Sequence, residues 1–279
     1  MKRVVKFLIS AGFYGVLWVR DAIFELLGKR RAHCVVLYYH SVPESQRIRF
    51  ERQMELLHKT AEPVAADRRT ALVPGRRYAA VTFDDAFRNI LDTALPTMRA
   101  RKIPATIFVV TGILGKTWHD SSTESDGDRA VMSAEELKQI PSDLVTIGSH
   151  SLTHPRMLEL APSQAKAELA ESRRTLERIL QRPILLFSFP YGSFSDALIG
   201  WAKEAGYERI FTTLPRLALL NPAEFVTPRV RVDPTDWELE FRLKLLGAYR
   251  WLPIAFAVKR RLFPNRVEAA IPQQASVTE

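Results

Sequence analysis

The chain has 279 residues, a 47% hydrophobic share and a formal net charge of +9, which fits one large folded domain with appendages. The cation excess admits nucleic acid, an anionic membrane or an anionic substrate. No zinc finger, RNP-type aromatic motif or helix-turn-helix signature accompanies it, which sets nucleic acid aside. The single cysteine, Cys34, excludes an intrachain disulfide framework and reads as a buried core position in Cys34-Val35-Val36-Leu37.

At the N-terminus, Lys2, Arg3 and Lys6 flank an apolar run from Phe7 to Val19. Its length suits a signal-peptide core, yet Arg20 and Asp21 follow where a small-residue cleavage site belongs. A second apolar stretch leads into Gly28-Lys29-Arg30-Arg31. The uninterrupted run is short for a spanning helix. It suits an uncleaved anchor or a helix in the membrane interface, with an ordinary packing helix as the alternative. Residues 241–266 repeat the basic, apolar pattern, with Tyr249 and Trp251 as side chains that favour a lipid interface. A helix packed on the domain is again the alternative.

Between these ends, β-branched runs alternate with helix-like stretches. Strands are expected at residues 34–39, 79–83, 105–110, 144–148, 184–189, 209–212 and 225–232. Helices are expected at 50–59, 87–101, 134–140, 164–180 and 196–205, with Ser163 capping the fourth and Gly206 stopping the last. Residues 117–129 read as a polar surface loop. This alternation predicts an α/β fold, a distorted, incomplete (β/α) barrel of about seven strands. The expected units are residues 1–31 as anchor or interfacial helix, 32–240 as barrel, 241–266 as the basic C-terminal segment and 267–279 as a disordered tail.

Polar residues follow the expected strands: His40 the first, Asp84 and Asp85 the second, His150 and His154 the fourth, Pro190-Tyr191-Gly192 the fifth and Asp233 the last. In a parallel barrel the C-terminal strand ends share one face, where active sites sit. Two imidazoles and a carboxylate suit a divalent transition metal with positions left open. Of two adjacent carboxylates, one can ligate while the other acts as general base on a bound water. Taken singly, Asp85 reads as a helix N-cap before Ala86-Phe87; with the histidines it reads as a ligand.

Thr82-Phe83-Asp84-Asp85 resembles the first motif of the polysaccharide deacetylase family (NodB homology, carbohydrate esterase family 4). His150-Ser151-Leu152-Thr153-His154 resembles its second motif, Phe189-Pro190-Tyr191-Gly192 its third and Asp233-Pro234-Thr235-Asp236-Trp237 its fourth. The resemblance implies Asp84 as general base and Asp85, His150 and His154 as metal ligands, the metal being zinc by ligand type. It implies a second oxyanion donor from a backbone N–H near Tyr191. The reaction implied is hydrolysis of an N-acetyl group on a sugar. Tyr191, Pro190 and Trp237 are substrate-side candidates, with core packing as the alternative for Tyr191 and Trp237.

Two departures stand out. Ser188 occupies the place where the third motif usually begins with Arg, the residue that helps hold the base; Arg229 and Arg231, just ahead of Asp233, are the candidate replacements. No histidine follows His154 to act as general acid. Leu37-Tyr38-Tyr39-His40-Ser41-Val42 is similar to the Tyr-His motif of a circularly permuted branch, as in poly-N-acetylglucosamine deacetylases. That similarity makes His40 the acid, against a plain loop histidine; His33, His58 and His119 have no such context. The expected partners are an N-acetylated oligo- or polysaccharide or a lipid-linked glycan, with a membrane surface beside it, in the bacterial cell envelope. The rivals are a deformylase or other amidohydrolase on a lipid-linked sugar, and a non-catalytic carbohydrate-binding relative.

Overall fold

The computed structural model describes residues 2–118 and 129–262. His119, most of the expected loop at 117–129 and the expected tail at 267–279 lie outside the described residues. The strands are β1 His33–Tyr39, β2 Glu62–Pro63, β3 Arg77–Phe83, β4 Ala105–Val109, β5 Thr117–Trp118, β6 Arg129–Ala130, β7 Val145–Ser149, β8 Leu186–Ser188, β9 Arg209–Phe211, β10 Val226–Thr227 and β11 Val230–Arg231. The helices are α1 Lys2–Leu26, α2 Arg47–Thr60, α3 Leu95–Ala100, α4 Ala134–Gln139, α5 Pro162–Leu180, α6 Asp196–Glu204, α7 Glu238–Leu245 and α8 Leu252–Leu262.

Nine strands form one sheet in the order β10-β9-β8-β7-β4-β3-β1-β11, with β2 added on β3. Every pairing in it is parallel. A flat sheet with eight strands in a row would hold its edges roughly 34 Å apart at about 4.8 Å per strand. The edge strands β10 and β11 are nevertheless joined by Pro228 and Arg229 alone, a bridge of at most about 11 Å. The sheet must therefore curl until its edges nearly meet, which makes it an incomplete barrel. The expected strand at 225–232 resolves into β10 and β11 because Pro228 has no N–H for a ladder.

Period-two alternation divides each strand between two cores. Val35, Leu37 and Tyr39 of β1 and Ala79, Val81 and Phe83 of β3 point outward into the main apolar layer beneath the helices. Cys34, Val36, Tyr78, Ala80, Phe108, Leu186 and Phe211 form a smaller core inside the curl. The same alternation turns Tyr38, Thr82, Asp84, His150 and Ser188 inward, so the barrel interior becomes polar toward the C-terminal strand ends.

Two helix expectations change. The stretch expected as one helix at 87–101 starts with a wide turn, Ile90–Ala94, before α3. Ser163 is not the cap of α5: Pro162 takes the first helical position, which needs no N–H, and Gln164 Oε1 accepts from the Ala161 N–H at 3.1 Å. Gly206 ends α6 as expected, at φ +86°. Helix α1 runs unbroken for 25 residues, about 37 Å at 1.5 Å per residue. It is the one described helix long and apolar enough to cross a membrane, so the segment is longer as a helix than its uninterrupted apolar run suggested.

Candidate active site

The adjacent carboxylates Asp84 and Asp85 part company because the backbone flips between them. Asp84 continues β3, its N–H donating to Tyr39 O at 2.9 Å, and its side chain turns into the barrel. Asp85 and Ala86 then take left-handed φ values of 68° and 52°. No helix starts there, so the N-cap alternative for Asp85 is overturned: a cap residue has extended backbone and leads into helical residues. The histidine loop repeats the device. His150 continues β7, donating from its N–H to Val109 O at 2.8 Å, while Ser151 and His154 adopt φ 70° and 59°. Tyr191 does the same after β8, at φ 58°. Left-handed conformations at non-glycine residues are costly, and five of the eight in the described chain belong to these three loops.

The flips bring three donors to one point. His150 Nε2 and His154 Nε2 each lie 3.6 Å from Asp85 Oδ1, and one ligand atom from each residue falls within 4.8 Å of the others. The 3.6 Å spacings exceed hydrogen-bond length. Two atoms each about 2.1 Å from one ion at a tetrahedral angle lie about 3.4 Å apart, so the spacing fits a shared metal. His150 Nδ1 meets Ser188 O at 2.7 Å, which makes Nδ1 the protonated nitrogen and aims the Nε2 lone pair at the cluster. Burial lowers the His150 pKa, with the Asp84 carboxylate and the Ser188 carbonyl opposing, so the imidazole is held in the neutral form a metal requires. Among the described residues, this is the one Asp/His cluster whose donors converge in this way.

Asp84 is held by Arg229. The guanidinium donates from Nη1 to Oδ1 at 2.7 Å and from Nη2 to Oδ2 at 2.9 Å, with both residues buried. It also donates to Thr82 Oγ1 at 3.0 Å, Ser188 Oγ at 2.7 Å and Thr212 O at 3.3 Å. The rings of Tyr38 and Phe108 lie 4.7 Å and 5.2 Å from its centre. Arg229 reaches this spot because it sits in the two-residue bridge that closes the barrel. Burial alone would raise the Asp84 pKa; Arg229 outweighs it, aided by His150 and His40, and brings it down to about 2. Of the two candidate replacements, Arg229 is thus the residue on Asp84, and the small Ser188 leaves it room. Arg231 is exposed at the end of β11.

His40 follows the inward-facing Tyr38 by two residues and is half-buried, its ring 5.7 Å from that of Tyr38. Burial pulls its pKa down to about 4 against the field of Asp84. Pro190 is buried, and Gly192, at φ +67°, presses so closely on Thr213 that a Cβ would lie 2.0 Å from its Oγ1. The half-exposed Tyr191 ring lies 4.7 Å from that of His154 and carries the Arg156 guanidinium at 4.6 Å. The half-exposed Trp237 has Phe7 of α1 edge-on at 5.7 Å and Arg3 over its ring at 4.9 Å. Asp233 shapes its own loop, accepting from the Thr235 N–H at 2.8 Å and hydroxyl at 2.6 Å. His33 meets Leu245 O at 3.0 Å and His58 lies on α2, each apart from the cluster.

One supporting residue escaped the sequence reading. Glu168 on α5 accepts from the N–H groups of Leu152 and Thr153 at 2.8 Å and 2.9 Å and from the Thr153 hydroxyl at 2.7 Å. It thereby pins the loop between the two histidines. The signal was available: Glu168 falls in the buried stripe Ala165, Glu168, Leu169, Ser172, Leu176, where a carboxylate needs a partner.

The comparisons with known proteins agree with this geometry. A family model described as polysaccharide deacetylase matches residues 72–210, a segment that contains Asp84, Asp85, His150, His154 and the Pro190 turn. YxkH of Bacillus subtilis is 24% identical over 217 residues, 74% of this chain and 74% of its own. A poly-beta-1,6-N-acetyl-D-glucosamine N-deacetylase of Staphylococcus aureus is 23% identical over 172 residues, 58% of this chain and 57% of its own. The structure of IcaB from Ammonifex degensii superposes with a TM-score of 0.65 at 25% identity, covering 77% of this chain and 99% of that one. Motifs, curled parallel sheet and matching relatives together lead to one assignment: the chain belongs to the polysaccharide deacetylase family.

Proposed function

We propose that this protein hydrolyses the N-acetyl group of an amino sugar in a cell-envelope or extracellular polysaccharide, of the poly-N-acetylglucosamine class, releasing acetate. The carrying observation is the convergence of Asp85, His150 and His154 beside an Asp84 kept ionised by Arg229. In this reading the barrel at residues 32–240 is the catalytic unit, and the basic segments at 1–31 and 241–266 place it at a membrane of the bacterial envelope. Asp85, His150 and His154 would hold a divalent cation, zinc by ligand type. When bound, such an ion supplies Lewis-acid polarisation of an acyl carbonyl and lowers the pKa of water.

The remaining work falls to the chain's own groups. Asp84, buried with its pKa near 2, accepts the proton of the attacking water at its carboxylate. Arg229 positions that carboxylate. His40, neutral at rest with its pKa near 4, receives the proton that Asp84 has taken from the water and hands it to the departing amine, so Asp84 and His40 both end the cycle as they began. The Pro190-Tyr191-Gly192 turn offers a backbone donor to the developing oxyanion, and the exposed Tyr191 ring a stacking face for a sugar.

A second reading, removal of a formyl group from a lipid-linked sugar, draws on a cavity of about 530 Å³ beside Arg231, lined also by Arg3, Lys6, Leu252 and Phe256. Matched N-acetylated and N-formylated acceptors, tested with metal stripped and restored, separate the two. Acetate release that needs added zinc supports the first reading. Formate release with no acetate release selects the second. Inertness of zinc-loaded protein toward both would leave a binding role.

A further inference from the structure

Helix α1 is docked on the domain along its first two thirds, from Arg3 to Leu17. Arg3 Nε donates to Glu240 at 2.8 Å, Phe7 meets Trp237, and Trp251 Nε1 donates to the buried Ser10 at 2.9 Å. Ala11 and Tyr14 pack on the cluster of Leu243, Ala248 and Tyr249, and Leu17 is buried. Positions 3, 7, 10, 14 and 17 recur every three or four residues, a docked stripe about 21 Å long.

The opposite side of α1 is uncovered and apolar. Val4, Leu8, Ile9, Val16, Val19 and Ile23 are each 44–66% exposed. At about 100° per residue they fall within an arc of roughly 140°, and no charged residue of α1 falls inside that arc. Cations flank it: Lys6 beside it, and Lys29 and Arg31 just beyond its end. A helix docked this way cannot cross a bilayer. Crossing a hydrocarbon core about 30 Å thick would drag Asp236, Glu240 and Lys244, which surround the docked end, into lipid. Lying flat, the same helix sinks its apolar arc into the interface while its cations meet anionic headgroups.

We infer that α1 docks the domain in the plane of an anionic membrane without crossing it and without leaving α7 and α8. The N-terminal end of α1 abuts the loop after β11, where Arg3 Nη2 donates to Thr235 O at 2.9 Å, on the side of the barrel where His40 and Asp84 emerge. Docking therefore holds the mouth of the site at the bilayer surface, within reach of glycans made or tethered there. The inference sharpens the membrane association proposed above and does not depend on the deacetylation chemistry.

The test uses the full chain and phosphatidylcholine vesicles with and without phosphatidylglycerol, read by co-sedimentation. Binding should require phosphatidylglycerol and fall at least tenfold in Leu8→Asp and Val16→Asp, with thermal unfolding and zinc content unchanged. Lys6→Cys and Lys29→Cys then report the helix's orientation to an impermeant maleimide added outside sealed vesicles; the native Cys34 is fully buried and stays silent. Both positions should label completely without detergent. Protection of one end until detergent is added would establish a spanning helix and overturn in-plane docking, with membrane association left standing. No vesicle binding, or a stable dimer in solution that the two aspartates dissolve, would overturn the membrane as partner.

Discussion

Arg229→Met removes the cation from Asp84 while keeping much of the apolar stem among Tyr38, Phe108 and Phe211. The structure sets the magnitude. Asp84 loses two charge-assisted hydrogen bonds, at 2.7 Å and 2.9 Å, in a place where it is 3% exposed. Breaking a buried pair by removing one partner costs about 3–5 kcal/mol. The depression of the Asp84 pKa from 3.8 to about 2 corresponds to about 2–3 kcal/mol of stability. The native pKa is the lower one, so this contribution is fully present above the unfolded value and is lost as pH falls from about 4 toward 2. At neutral pH the variant should unfold about 10 °C below the parent, at roughly 2–4 °C per kcal/mol for a chain of this size. Thermal unfolding by circular dichroism measures this directly. The companion is Asp84→Asn, which removes the stranded charge: Arg229→Met should cost much less in that background. A loss under about 1 kcal/mol at pH 7, or an equal loss in both backgrounds, would refute the pairing as the source of Asp84's ionisation.

Three further outcomes follow from the site. His154→Ala should abolish tight zinc binding by the folded protein, measured by metal analysis after dialysis, because two donors remain where three converge. His40→Gln should lower turnover about 10²–10⁴-fold with zinc content unchanged; loss of metal instead would make His40 a ligand. Glu168→Ala frees three donors in the histidine loop and should weaken zinc affinity about 10–100-fold without altering the identity of the ligands.

The sequence carried the barrel and the cluster well, for local reasons. Apolar runs ending in polar residues at each strand end required only period-two and helical spacing, and the parallel topology then gathered Asp84, Asp85, His150 and His154. Long-range closure was less legible. Arg229 acts across the barrel, 145 positions from Asp84 in sequence, and only the curl that brings β10 and β11 together shows why it, and not Arg231, replaces the expected arginine. The left-handed turns at Asp85, Ala86, Ser151, His154 and Tyr191 leave no glycine signature, so the backbone flip that separates the paired carboxylates was not legible, and their duties rested on the nearby histidines and the resemblance. Trp237 was open between a sugar face and core packing, and the structure gives it a neighbour the sequence did not suggest, because α1 folds back onto the loop after β11 while the ring stays half-exposed. Glu168 was visible as a carboxylate in an apolar stripe, but its partner loop lies on another element.

Acetate release from N-acetylglucosamine oligosaccharides by zinc-loaded parent protein and Asp84→Asn, at matched zinc content, tests the central claim most directly. The account predicts zinc-dependent acetate release by the parent and none above background from the variant, although both hold the metal equally. Undiminished release by Asp84→Asn, or none from fully loaded parent, would contradict it.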